Sequence, residues 1–188
     1  MWLIKKLGWK GMLIAIVSVV AVITVLVALF AGSSLEKRKT ELSNATLQLS
    51  RNASHVDRLI TDWRETWQGV ALGQIKFQEG IKKLDDISVG ALEVSNAIER
   101  MATPKWLNRA PKEEFNNMKK DMRTACSALA VASKAGAQML KSGLLTPKDL
   151  TTMAGYSKDA TDYLNKSTLV LSKFKLGYGL EEEPVKAE

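Results

Sequence analysis

Residues 35–101 read LEKRKTELSNATLQLSRNASHVDRLITDWRETWQGVALGQIKFQEGIKKLDDISVGALEVSNAIERM, and a seven-residue series through them is apolar at every step: Leu35, Leu42, Leu49, Val56, Trp63, Val70, Phe77, Leu84, Ala91 and Ile98. Such a series marks a helix face that packs along its length. Two architectures satisfy it. One helix could run the whole stretch, about 100 Å at helical rise, as a stalk carrying a three-helix head. Alternatively, a turn near Gly69 to Gly73 divides it, giving four helices of similar length, as a compact antiparallel bundle requires. The unbroken register favours the stalk, but the companion positions Arg38, Asn52, Thr66, Gly73 and Gly80 make a poor coiled-coil seam. The four-helix bundle is the expectation and the stalk its alternative.

Downstream, prolines and caps divide the chain. Thr146-Pro147-Lys148-Asp149 combines a threonine cap, proline at the first helical position and an acid in the first turn, all helix-start signals. Gly143 suits the preceding helix end. Thr103-Pro104 marks a stop, and Asn108 to Pro111 followed by Glu113 and Glu114 marks another start. The third helix then carries Phe115, Met118, Met122, Ala125, Leu129, Ala132, Gly136 and Met139 at three-four spacing. The fourth carries Leu150, Met153, Ser157, Ala160, Leu164, Ser167, Leu171 and Phe174. The fold class is all-α. The bundle is placed at residues 33–176, and KLGYGLEEEPVKAE after Phe174 supplies an acidic tail at 177–188, expected to be flexible.

Upstream lies GMLIAIVSVVAVITVLVALFAG, Gly11 to Gly32, without a charge and long enough to cross a bilayer as a helix. A cleaved signal peptide would have a shorter apolar core and a small-x-small exit; the exit here offers Leu29 and Ala31, or Phe30 and Gly32. An uncleaved signal-anchor is expected, with residues 1–10 as a short basic cytoplasmic tail, residues 11–32 as a single span and the bundle outside the cytoplasm. Trp2, Lys5, Lys6, Trp9 and Lys10 have the character of membrane-interface anchors.

The net charge of +7 is mild once Lys5, Lys6 and Lys10 are set aside, which leaves 24 basic against 20 acidic residues in the remainder. No basic patch interleaved with aromatics suggests nucleic acid. The single cysteine, Cys126, excludes an internal disulfide, and the single histidine, His55, has no companions at metal-ligand spacing. Neither a cofactor nor a metal is expected. With no glycine-rich phosphate loop and no nucleophile-base arrangement, an enzyme is not expected either.

Two groups of residues carry the remaining interest. Trp63 and Trp67 share a helix face around Arg64, and they serve either as core or as a contact for a ligand or partner; Arg51 and Arg58 are further anion candidates. Trp106, in the short connection TPKWLNRAP with Lys105, Arg109 and Lys112, is the candidate partner-binding tip, expected at the end of the molecule far from the membrane. The functional expectation is a membrane-anchored, non-enzymatic interaction or scaffold subunit of a bacterial envelope assembly. Its partners are the bilayer and another protein or a second copy. A membrane helix leading into a four-helix bundle also resembles the outer sensor of bacterial chemoreceptors and histidine kinases. That resemblance is architectural and implies a ligand-sensing role. A further alternative, similarity to phage lysis proteins of the spanin type, fits the capped, alanine-rich helices less well.

Overall fold

The computed structural model describes the backbone of residues 8–180 and side chains from residue 34 onward. Its regular structure is helical throughout: α1 (Gly8–Ala71), α2 (Phe77–Arg100), α3 (Arg109–Lys141) and α4 (Pro147–Gly177). The chain divides into two compact units, residues 1–42 and 43–188. In the first unit the side chains from 34 to 41 are exposed, including Leu35 at the head of the heptad series. The side chains of Trp9, Lys10 and most of the Gly11–Gly32 stretch lie outside the described residues, as do Trp2, Lys5, Lys6 and the tail 181–188. Among the described residues no helix is long and apolar enough to cross a membrane.

The second unit decides between stalk and bundle. α1 stops at Ala71, and Gly73 turns the chain with φ +72°, a left-handed conformation that glycine adopts at no steric cost. The Gly69 carbonyl accepts from the N–H groups of Gln74 and Ile75 at 2.8 and 3.0 Å, so the helix end is satisfied within the turn. Four helices therefore form. The heptad series survives the turn because Val70 and Leu84 both face the core, while Phe77, the first residue of α2, is only half-buried. The poor companion positions are resolved as well. In α1 the positions four residues beyond the heptad series, Thr46, Ala53, Ile60 and Trp67, are buried, and so are Ala45, Leu59 and Thr66, three beyond it. This wider face suits a helix touching two neighbours.

Contacts at matching heights show each helix antiparallel to the next. Along α1 and α2, Leu59 lies under Gly90, and Asn52 donates to the Met101 Sδ at 3.3 Å. Between α2 and α3, the Ser88 hydroxyl donates to the Ala130 carbonyl at 3.3 Å and Glu99 pairs with Arg123 at 3.2 Å. Between α3 and α4, Ser167 donates to the Met118 carbonyl at 3.0 Å, and the Phe115 and Phe174 rings are 6.0 Å apart. α4 returns to α1, where Arg64 reaches Ser157 and Thr161. The result is an up-down-up-down ring whose core includes Trp63, Phe115, Leu84, Met122, Leu129 and Met153.

The predicted stripes of α3 and α4 are buried, with two exceptions. Leu150 is 40% exposed because it lies in the first turn of α4, at the end of the bundle. Met139 is half-buried while Leu140 is buried, the drift expected when a 3.6-residue helix outruns a fixed spacing. The predicted α4 start is present, and its threonine cap and first-turn acid close a capping box: the Thr146 hydroxyl accepts from the Asp149 N–H at 3.2 Å, and the Asp149 carboxylate accepts from the Thr146 N–H at 2.8 Å.

Candidate functional site: a groove between the first and last helices

Trp63 and Trp67 stand one turn apart on α1 and stack with centroids 6.3 Å apart and planes inclined by 10°. They are 2% and 7% exposed, and neither indole N–H finds an acceptor. Each unpaired buried donor costs about 1–3 kcal/mol. Across from them α4 supplies only Leu150, Ala154 and Ser157. Because two of these are small, the seam does not close, and a groove of about 370 Å³ remains. Gln68, Ala71 and Arg64 complete its lining.

Arg64 is the one charged residue among those lining the groove. Exposed arginines ordinarily wander, but this guanidinium is held across the seam. Its Nε donates to the Ser157 Oγ at 2.9 Å and its Nη2 to the Thr161 Oγ1 at 2.7 Å. The Thr161 hydroxyl donates its own proton to the Ser157 carbonyl at 2.7 Å, so a lone pair is left for the arginine. Both acceptors are neutral. Among the described residues no carboxylate forms an ion pair with Arg64, and the remaining guanidinium donors are uncommitted to protein. The pair singled out from sequence as core or contact is buried, and its ring edges line the groove. Arg51 and Arg58 are exposed and line no part of it.

The second predicted site lies elsewhere. In the α2–α3 connection Pro104 and Leu107 are buried and Trp106 is half-buried, whereas Lys105, Arg109 and Lys112 are exposed. Arg109 is paired with Glu113 at 2.9 Å. Since α1 ends at Ala71 and α2 runs back along it, the 101–108 connection is level with Asn52 at one end of the bundle, and Gly73 and Gly143 turn the chain at the other end. The groove and the Trp106 turn are thus separate sites.

Ala154 and Thr161 were not legible as site residues. The available signal was the small-residue run Ala154-Gly155 followed by Ser157 on a helix that must face tryptophans. No cluster of His, Cys, Asp or Glu among the described residues could hold a metal ion. The Cys126 thiol is buried in α3, and burial pushes its pKa up to about 12. No protein family, curated protein or solved structure matches this chain.

Proposed function

We propose that this protein is a membrane-anchored, non-enzymatic binding protein whose bundle serves as an interaction module. The observation that carries the reading is the α1/α4 groove: a cleft lined by the edges of two otherwise buried tryptophans, kept open by small residues on α4, with a fixed cation at its rim. Binding sites typically combine an apolar lining with a few placed polar groups. The anchor rests on the uncharged stretch from Gly11 to Gly32 and the basic residues before it.

Scaffolding within an envelope assembly is the broader role this supports. The Trp106 turn, with Lys105, Arg109 and Lys112, is its second contact surface. The sensing alternative gains from one feature, the small size of the groove, which suits a compact guest.

Affinity purification of the tagged full chain from gently solubilised membranes tests the reading. The wild type should retain a defined partner or ligand, and Ala154→Phe, which fills the groove from an exposed position on α4, should lose it at unchanged thermal stability. Equal retention by both would remove the groove as the working site. For the anchor, Ala187→Cys should react with a membrane-impermeant thiol reagent in intact cells; labelling only after lysis would overturn the assignment of the bundle to the outer side.

A further inference from the structure

We propose that the α1/α4 groove binds a small amphipathic carboxylate, with its apolar body against the Trp63 and Trp67 wall and its carboxylate on Arg64. The inference rests on the groove being the binding site and adds the chemistry of its guest.

Three observations converge on that chemistry. The first is charge: the groove is lined by one cation and no anion, and the cation's protein partners are hydroxyls that leave its charge uncompensated. A cationic guest would be repelled. A neutral guest could accept a single hydrogen bond from the guanidinium, whereas a carboxylate adds the opposite charge and can take two parallel N–H bonds from its planar fork. The second is the direction of the unmet hydrogen bonds. The indole N–H groups of Trp63 and Trp67 are buried away from the groove, whereas the spare guanidinium positions of Arg64 are exposed donors without acceptors. Arg64 offers only donor capacity to the groove, so the complementary guest carries acceptors.

The third observation is size. The volume of about 370 Å³ lies at the low end of ligand pockets, about 300–1,000 Å³. Its lining covers only Trp63 to Ala71 on α1 and Leu150 to Ser157 on α4. A docked amphipathic helix needs anchors repeated over a longer groove, so a compact guest fits and a helical segment does not. Arg64 adds preorganisation. Its two bonds to α4 fix the side chain before the guest arrives, and less conformational entropy is lost on binding.

The test uses the full chain in lipid nanodiscs and two water-soluble probes, 3-phenylpropionate and its neutral counterpart 3-phenylpropanamide, followed by tryptophan fluorescence and titration calorimetry. The acid should bind at least about ten-fold more tightly than the amide, the scale of a charge-assisted hydrogen bond. Arg64→Gln should erase that preference, and Ala154→Phe should block both probes while circular dichroism and the thermal midpoint report an intact fold. Equal affinity for acid and amide in the wild type would overturn the carboxylate assignment; if Ala154→Phe still blocked both, the groove would stand as a site for another guest. Absence of binding by the acid, or binding unaffected by Ala154→Phe, would overturn the inference together with the reading of the groove beneath it.

Discussion

Trp67 on α1 reaches Gly136 on α3 across the centre of the bundle: a Cβ placed on the glycine would stand 3.4 Å from the Trp67 Cζ3, with Leu84 of α2 at 3.1 Å and Met153 of α4 at 3.5 Å. All four helices meet in that layer, and the missing side chain is what lets the indole lie there. Gly136→Leu should therefore overpack the centre and lower stability by about 1–3 kcal/mol or more, measured by guanidinium unfolding. Gly155, with open space around it on α4, gives the opposite sign. Gly155→Ala should stabilise by up to about 1 kcal/mol through helix propensity. If both substitutions proved neutral, the packing of this layer would be wrong.

Leu164 tests the last helix. It is 4% exposed and lies on the α4 stripe, so Leu164→Ala should cost about 2–5 kcal/mol. Lys166, two residues on, pairs with Asp121 at 2.9 Å, but its side chain is 63% exposed. Lys166→Ala should change stability by less than about 1 kcal/mol.

The buried thiol makes a pH prediction. The folded-state pKa of Cys126, about 12, lies above its ordinary value of 9.0, so the folded chain holds this proton more tightly than the unfolded chain does. The associated stability is fully present below pH 9.0 and is lost as pH rises from there toward about 12. Unfolding midpoints measured across that alkaline window should fall less for Cys126→Ala than for the wild type. The native thiol should also resist alkylation at neutral pH and react once denaturant is added.

At the start of α4, Thr146→Ala removes half of the capping box and should cost about 0.5–2 kcal/mol. Hydrogen bonds with Thr146 hold the Asp149 carboxyl below the usual range. The stability it contributes is present above the ordinary aspartate value of 3.8 and is lost as pH falls through the lower folded value. Asp149→Asn should therefore flatten the acid limb of the stability profile in thermal melts.

Local signals were legible in the sequence to the extent that one residue's chemistry sets them. The α4 cap is complete within Thr146-Pro147-Lys148-Asp149, and the stripes of α3 and α4 need only helical periodicity. The turn at Gly73 was expected nearby, but an unbroken heptad series disguised it, because the buried faces on either side happened to keep phase. The groove was beyond such reading. Trp63 and Trp67 were visible as a pair, yet whether they were covered depended on Ala154 and Ser157, about ninety residues away in sequence. The end on which Trp106 lies followed from the direction of α2, which a reading that kept a long first helix in view did not resolve.

The closing seam of the ring joins the first helix to the last, and this sets when the groove can exist. Trp63, Arg64 and Trp67 are synthesised early, while Ala154, Ser157 and Thr161 come from the final helix. A nascent or proteolysed chain lacking α4 would leave both indoles without their cover, and no fragment short of the complete ring could offer the site. Competence to bind would then double as a check on assembly, since only a chain that has finished folding presents Arg64 on its two hydroxyls.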